Sequence, residues 1–329
     1  MSNFRSSALL FSVAAGLATG PALAQSTDSE FRALLKEQKV AEAESLARGR
    51  FAKNPRDDVA LWYLVRVVAG DEKKREAAIP LAEQCVATLP QSARCHHALG
   101  ILFCATAQAG GFSAALKYGA RIKEEFVKAA ELDPKFFEAR RDVGQFYLQA
   151  PGIAGGSVRK AIENADEFAR VDSNRGALLR ADVHVYEKEY DQAEKVLARV
   201  QPGSDTQLAE ALTQSWAGIG FSLINEKEHG KAQKLFERLV AADMSSALAY
   251  FGLGRAQLEN KLVDAAIASF ERALQLNDKM RIHYRLGIAY QTKGDKARAL
   301  AAFQQFISYQ ANGTAADDAR SRIDALKRG

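Results

Sequence analysis

The chain has 329 residues, of which 26% are charged and 47% are hydrophobic, with 23 Gly and 7 Pro. This composition suits a soluble helical protein and excludes collagen-like and disordered classes. The formal net charge is +5, and residues 279–329 hold ten Lys or Arg against four Asp or Glu, a net charge of +6.

The first 24 residues have the three parts of a secretory signal peptide. Arg5 supplies the positive start, residues 8–18 supply the apolar run, and residues 22–24 supply a small-x-small cleavage site. A break at residues 19–21 ends the apolar run before it reaches the ~20 residues of a membrane span. We therefore expect cleavage after Ala24 and a mature chain that is periplasmic or secreted. No later segment is expected to cross a membrane.

Three cysteines follow, at Cys85, Cys95 and Cys104. An oxidising compartment lets a disulfide persist, and an odd number leaves at least one thiol over. Cys85 and Cys95 flank a predicted turn between helices and could form a disulfide; alternatively they are small buried residues in helix contacts. No C-x-x-C pair is present, so the sequence does not favour redox chemistry or a Cys-based zinc site.

No catalytic or metal-binding pattern was found. The hydrolase and metalloprotease signatures G-x-S-x-G and H-E-x-x-H are missing from the sequence. His96 and His97 are adjacent, and neighbouring side chains on a helix point about 100° apart, which suits a single metal ion poorly. The sequence therefore predicts no catalytic residue, no metal and no cofactor.

A glycine-rich segment, residues 151–157, is the one candidate site for a small anion. Backbone amides at a helix start attract anions, and Gly152, Gly155, Gly156 and Ser157 precede a predicted helix. The segment matches neither G-x-x-x-x-G-K-[ST] nor G-x-G-x-x-G. A tight turn with a Ser cap explains the same residues without a ligand.

Three columns of residues recur with a period of 33 or 34 residues in the C-terminal half of the chain. Small residues and phenylalanines occupy them: Gly220, Gly254 and Gly287; Ala232, Ala266 and Ala299; Phe236, Phe270 and Phe303. A small residue lets a partner helix approach closely, and a Phe fills the gap between successive helix pairs. The columns therefore predict a stack of helix hairpins.

With Trp216, Tyr250 and Tyr290, these columns resemble the tetratricopeptide repeat family, whose pattern is W-x2-L-G-x2-Y…A-x3-F…P. The resemblance implies an all-α, right-handed solenoid of about eight helix-turn-helix repeats with a C-terminal capping helix. The Pro151–Gly156 segment also resembles a loop of secreted bacterial members. Within a solenoid over 25–329, the repeats are predicted at residues 28–57, 58–91, 92–135, 136–173, 174–206, 211–245, 246–278 and 279–312, and the capping helix at 314–328.

The family's geometry implies an inner groove lined by the first helix of each repeat. Aromatic, aliphatic and Arg side chains alternate there, a mixture enriched at recognition hot spots, although several of them could simply fill the interior. The implied groove residues are Tyr63, Arg94, His97, Arg141, Leu178, Phe221, Phe251, Arg255, Arg281 and Tyr284. Only Arg281 and Arg285 resemble part of the carboxylate clamp of intracellular members, so that clamp is not predicted.

The leading hypothesis is a non-catalytic periplasmic adaptor that binds a peptide or protein of the cell envelope in this groove. Two alternatives remain: a protein or enzyme that binds a small anion or polysaccharide through residues 151–157, and a structural protein that self-associates. The basic C-terminal region could also attract an anionic surface. Nucleic acid is not an expected partner in an exported compartment.

Overall fold

The computed structural model describes residues 21–328 apart from residues 279, 281 and 312, with side chains from residue 28 onward. Residues 1–20 of the predicted signal peptide lie outside this part. Every regular element in the described part is helical, and it contains no strand. The chain divides into two compact units, Met1–Ala105 and Thr106–Gly329.

Unit 1 contains four complete helices and the start of a fifth. Two of its helices begin after an aspartate, where Asp57 and Asp71 accept hydrogen bonds from the amides of Ala60 and Lys74. Such caps satisfy amides that a helix start otherwise leaves unpaired. The helices are α1 (Pro21–Lys36), α2 (Val40–Lys53), α3 (Asp58–Val68), α4 (Glu72–Thr88) and α5 (Ala93–Leu132).

Helix α3 forms the centre of unit 1. Its residues 59–65 are all buried, as expected for a helix that is apolar on every side. Phe31 of α1 stacks on Tyr63 with ring centroids 4.6 Å apart. The indole Nε1 of Trp62 donates a hydrogen bond of 2.8 Å to Nδ1 of His97. Aromatic packing and buried polar pairs therefore hold successive hairpins of this unit together.

Unit 2 continues the succession of hairpins. Each helix packs against the next, and the first helices of successive hairpins also contact one another along α6, α8, α10 and α12. The helices after α5 are α6 (Phe137–Gln149), α7 (Val158–Ala169), α8 (Ser173–Tyr186), α9 (Tyr190–Leu197), α10 (Thr206–Asn225), α11 (His229–Ala242), α12 (Ala247–Glu259), α13 (Val263–Leu276), α14 (His283–Lys293), α15 (Lys296–Tyr309) and α16 (Thr314–Arg328).

Phenylalanine rings pack on glycines between successive hairpins of unit 2, as the sequence columns predict. Phe236 is fully buried, and a Cβ atom on Gly252 would lie 2.0 Å from its ring; one on Gly220 would lie 2.5 Å from it. Phe270 packs in the same way on Gly254, where a Cβ would lie 2.7 Å from the ring. These positions therefore need glycine for close approach rather than for backbone freedom.

The turns inside the hairpins of unit 2 share one backbone feature. Lys188, Lys227 and Lys261 have φ angles of 62°, 64° and 63°, and Gly294 occupies the same place in its hairpin with φ 84°. A left-handed residue ends the first helix and reverses the chain. Lysine adopts this conformation at a cost that glycine avoids.

The sequence predicts no membrane-spanning segment after residue 24, and within the described residues helix α5 is the one element that differs from this expectation. Length and composition would allow Ala93–Leu132 to cross a membrane, a test that the core helix of a soluble protein can also pass. Its helical geometry is broken at Gly111, which has φ 69° and ψ −155°. The segment between Phe103 and Phe126 is longer than its counterparts in the other repeats. Its extra residues are helical and lengthen the second half of α5.

The predicted C-terminal helix is present as α16. Ala316, Ala319 and Ile323 are buried in the same apolar cluster as Phe303 and Phe306 of α15. The opposite side of α16 is exposed and charged. The helix thus covers the last hairpin with an apolar face and presents a polar one to solvent.

Candidate functional site

The first helices of the C-terminal hairpins carry a connected row of aromatic rings. The ring centroids of Phe221 on α10 and Phe251 on α12 lie 5.9 Å apart. Each of these rings also contacts a column phenylalanine, Phe236 at 5.2 Å and Phe270 at 6.0 Å. Because the column phenylalanines are fully buried while Phe221 and Phe251 are only partly buried, the latter two form the accessible edge of the core.

Arg255 lies on this aromatic row. Its guanidinium carbon is 5.2 Å from the ring centroid of Phe221, a cation–π contact. The residue is half-buried, and within the described part of the chain no carboxylate forms a hydrogen bond or ion pair with it. A partly desolvated cation that makes no hydrogen bond or ion pair with a carboxylate can attract one from a ligand.

A second arginine strengthens the positive charge at this place. Burial lowers the pKa of Arg255 first, and the neighbouring guanidinium of Arg285 lowers it further. Arg285 lies 5.9 Å from the ring of Tyr284 and, among the described residues, also has no carboxylate partner. We call Phe221, Phe251, Arg255 and Arg285 the Phe–Arg surface. An anion bound between the two arginines would relieve their mutual repulsion.

Tyr284 borders the Phe–Arg surface but its hydroxyl is already used. It donates a 2.7 Å hydrogen bond to Asp318 of α16, which also accepts from Nε of Arg322 at 2.6 Å. Burial and this carboxylate raise the pKa of Tyr284, whereas the hydrogen bond from Arg322 lowers the pKa of Asp318. The Tyr284 ring therefore forms one side of the site, and its hydroxyl is already engaged with Asp318.

Arg141, another predicted groove residue, has an internal partner. Its Nε donates to Asp182 at 3.3 Å, and Nε2 of Gln145 donates to the same carboxylate oxygen at 3.2 Å. Burial raises the pKa of Asp182 against the opposing influence of Arg141. This cluster joins α6 to α8 and leaves less charge for an external ligand than Arg255 does.

Three predicted groove residues are not available on a surface. Tyr63 and Leu178 are 1% and 2% exposed, and the Tyr63 hydroxyl donates to Asp28 at 2.8 Å. His97 is 1% exposed and accepts from Trp62. Their place in the groove is therefore corrected: these side chains fill the interior between hairpins.

Two further groove predictions have different outcomes. Arg94 is partly buried, and its Nε atom has no hydrogen-bond partner in the described residues. Arg281 lies outside the described residues, so its place in the groove stays a prediction.

The glycine-rich segment forms a compact turn that uses its own amides. Pro151 accepts hydrogen bonds from the amides of Ala154 and Gly156, Gly152 accepts from Gly155, and Tyr147 accepts from Ser157. Ser157 caps α7 by accepting from the amide of Lys160 at 3.3 Å. Four amides that could have cradled an anion are therefore already paired. The alternative interpretation as a capped turn accounts for the geometry.

Cys85 and Cys95 are joined by a disulfide bond in the structure, with sulfur atoms 2.02 Å apart. The bond connects the end of α4 to the start of α5 across the ten-residue separation noted in the sequence. Cys104 is not part of it. The sequence left open whether these cysteines form a disulfide or are separate small buried residues. The structure shows the disulfide, with both cysteines buried.

Ion pairs neutralise much of the basic C-terminal region. Four of its cations lie within 2.6–2.9 Å of carboxylates: Lys293 with Asp264, Arg298 with Asp295, Arg320 with Asp317, and Arg322 with Asp318. The suggested attraction of this region to an anionic surface is weakened accordingly.

Several polar contacts between hairpins were missed by sequence reasoning, yet they share a signal. Trp62 and His97 are separated by 35 residues, and Tyr284 and Asp318 by 34. The bond from Ser92 Oγ to Asp58, at 2.5 Å, also spans 34 residues. A search for donors and acceptors one repeat period apart would have found these pairs.

A cleft of about 710 Å³ between α9 and α11 was also missed. It is lined by charged side chains from helices about 40 residues apart, including Glu194 and Arg238. Arg238 pairs with Glu194 at 2.7 Å, and two lysines of the lining, Lys188 and Lys231, pair with Glu226 and Glu228. Its charges are thus largely satisfied within the protein.

Repeated helix hairpins define a helical-repeat protein. Two family models, both described as tetratricopeptide repeat, match residues 227–281 and 283–312. The chain is therefore similar to the tetratricopeptide repeat family over these residues. Its all-α fold of stacked hairpins is the predicted one.

Two curated relatives are similar to about half of this chain. Tetratricopeptide repeat protein 37 of Xenopus laevis is 28% identical over 189 residues, and human Superkiller complex protein 3 is 28% identical over 188 residues. These alignments cover 56% and 55% of this chain but span 11% of each relative's length. Yeast Tom70 has a similar fold, with a TM-score of 0.66 and 13% identity over 96% of this chain and 66% of that chain. The fold suggests a protein–protein interaction scaffold.

Proposed function

We propose that this protein is a non-catalytic adaptor that binds a peptide or protein segment carrying a carboxylate beside bulky apolar side chains. The observation that carries the proposal is Arg255, half-buried over Phe221 and without a carboxylate partner in the described part of unit 2. Arg285 adds a second positive charge, and Phe251 offers an apolar edge for the segment to pack on. Such arginine and aromatic anchors dominate the binding energy of protein interfaces.

We further propose that the protein acts after export, in the periplasm or outside the cell. The signal-like sequence of residues 1–24 motivates this location. The disulfide between Cys85 and Cys95 supports it, because structural disulfides persist in oxidising compartments and are rare in the cytosol. The partner would then be a component of the cell envelope.

A displayed library of random decapeptides tests the binding proposal directly. Peptides selected on the purified chain should be enriched in Asp or Glu next to Phe, Leu, Ile or Trp. Arg255→Gln should weaken the binding of a selected peptide at least about tenfold, since loss of a hot-spot anchor typically costs about 2 kcal/mol or more. Isothermal titration calorimetry measures this change.

Arg272→Gln is the matched control. Arg272 also contacts a ring, that of Tyr250 at 5.9 Å, but it is exposed on α13, the second helix of its hairpin. Its replacement should leave the affinity within about twofold of the unmodified chain. Selected peptides that bind both variants equally well would place the binding site elsewhere.

A further inference from the structure

Two insertions, segments that lengthen a repeat beyond its period of 33 or 34 residues, pack against each other in unit 2. The first is the lengthened second half of α5, and the second is the turn of residues 151–157. A Cβ atom on Gly119 of α5 would lie 3.4 Å from the Cβ of Ala154 in the turn. One on Gly155 would lie 3.6 Å from the Lys123 side chain. Both insertions therefore contribute to a single surface.

This surface exposes large apolar side chains. Phe112 and Leu116 are 68% and 41% exposed and lie one helical turn apart on α5. Ile153, next to Ala154 in the turn, is 81% exposed. Gly119 and Lys123 continue the same side of the helix, since they follow Leu116 by three and seven residues. We call Phe112, Leu116 and Ile153 the insertion patch.

Positive charges predominate around the insertion patch. Residues 84–123 and residues 143–162 contain no Asp or Glu. They do contain Lys117 and Lys123 beside the patch on α5, and Arg159 and Lys160 at the start of α7. Arg159 pairs with Glu163, but none of the described carboxylates forms an ion pair with Lys117, Lys123 or Lys160. The patch is thus apolar at its centre and basic at its edge.

We propose that the insertion patch docks on an anionic lipid surface. Phe112, Leu116 and Ile153 would enter the interface between headgroups and acyl chains, and Lys117 and Lys123 would contact the anionic headgroups. Exposed aromatic and aliphatic residues bordered by lysines have this chemistry, and each lysine near an anionic membrane adds to the attraction. The peptide-binding role of the Phe–Arg surface does not depend on this site.

Vesicle cosedimentation with the full chain tests the proposal. Vesicles of phosphatidylcholine with one-quarter phosphatidylglycerol should bind the protein, and vesicles of phosphatidylcholine alone should bind it at least about tenfold more weakly. Phe112→Ser, Leu116→Ser and Ile153→Ser combined should lower the partition coefficient at least about tenfold. Lys117→Gln with Lys123→Gln should lower it by a smaller factor that disappears in 0.5 M salt.

A matched control replaces three exposed apolar residues elsewhere in unit 2, Val171, Met244 and Leu262, by Ser. These changes should leave vesicle binding unchanged. Phe112→Trp should shift its fluorescence to the blue with anionic vesicles and be quenched by brominated lipid, which locates the contact at the patch rather than at the apolar N terminus. If the triple Ser variant unfolds by circular dichroism, Ile153→Ser alone replaces it.

Two results would overturn the proposal. The first is that the triple Ser variant binds anionic vesicles as tightly as the unmodified chain. The second is that the unmodified chain does not bind anionic vesicles at low salt. If the unmodified chain does not bind the vesicles, but the triple Ser variant shifts a monomer–dimer equilibrium in sedimentation, then the patch contacts a second copy of the chain and not a membrane.

Discussion

Unit 1 and the C-terminal hairpins of unit 2, helices α10–α15, hold their neighbours together in different ways. In unit 1 a disulfide and buried polar pairs such as Trp62 with His97 connect successive hairpins. In α10–α15 the same task is done by phenylalanine rings packed on glycines, repeated at each period. A regular apolar contact can be read from sequence as a column, whereas an individual cross-link or polar pair varies from hairpin to hairpin.

The largest effect is expected where a substitution removes the space that a phenylalanine ring needs. Gly252→Ala should destabilise unit 2 by about 3 kcal/mol, because the new Cβ would lie 2.0 Å from the fully buried ring of Phe236. Gly218→Ala is the control, since nothing lies within 4 Å of a Cβ there. It should instead stabilise α10 by about 0.5–1 kcal/mol through helix propensity. Chemical denaturation measures both changes, and equal effects would refute the close-packing explanation.

The cross-link of unit 1 should contribute slightly less. Replacing Cys85 and Cys95 by Ser should lower the stability of unit 1 by about 2–3 kcal/mol, because the unfolded chain gains the freedom of an open loop. Cys104→Ser is the control and should change the stability by much less. Hydrogen exchange resolves the two units, and the loss of protection should be largest in α3 and α4. An unchanged exchange pattern there would mean that packing alone holds these hairpins.

Helix caps are the feature that the two regions share, so they should behave alike. Asp205→Ala should cost about 1 kcal/mol at neutral pH, since Asp205 accepts from the amide of Leu208 at the start of α10. Asp71→Ala in unit 1 should cost a similar amount. Glu228 precedes α11 without a side-chain cap, so Glu228→Ala is the control with little effect.

The cap at Asp205 also predicts a pH dependence. The hydrogen bond from Leu208 comes first among the causes that lower the pKa of Asp205 below its ordinary 3.8. A carboxylate with a lowered pKa stabilises the folded state above pH 3.8 and loses that contribution as the pH falls through its folded pKa. The stability difference between the unmodified chain and Asp205→Ala should therefore shrink below about pH 4. A difference that stays constant down to pH 2 would argue against a charged cap.

The smallest expected effect concerns the left-handed turns. Lys261→Gly should stabilise unit 2 by less than about 1 kcal/mol, because glycine adopts φ 63° without strain but also makes the unfolded chain more flexible. Lys188→Gly should gain less, because it also removes the ion pair with Glu226 at 2.9 Å. Thermal unfolding of the two variants ranks them, and a loss of stability in Lys261→Gly would mean that the lysine makes a contact that matters.

The fold was largely accessible from sequence because the Gly and Phe columns encode contacts that recur every 33 or 34 residues. The candidate site was accessible only in part. Phe221, Phe251 and Arg255 were found through the family's groove positions and do lie together. Tyr63 and His97 occupy corresponding positions but are buried, because Phe31 and Trp62 pack on them. Burial depends on which neighbour covers a position, and one repeat's residues do not contain that information.

The insertions show the same limit from the other direction. Their excess length is visible in the sequence, but the contact of Gly119 with Ala154 joins segments that no period relates. The hydrogen bond of Tyr284 to Asp318, by contrast, joins residues 34 apart and could have been found by a search at the repeat period. Contacts that recur with the repeat period can be identified from the sequence, whereas a contact that occurs once outside this period requires the structure.

A double-mutant cycle tests directly whether the guanidinium of Arg255 binds a carboxylate of the partner. Calorimetry would measure the affinity of a selected acidic peptide and of its carboxamide analogue, each with the unmodified chain and with Arg255→Gln. If the two groups are in contact, the coupling energy between the guanidinium and the peptide carboxylate should be at least about 1 kcal/mol. A coupling energy within about 0.3 kcal/mol of zero would contradict this contact.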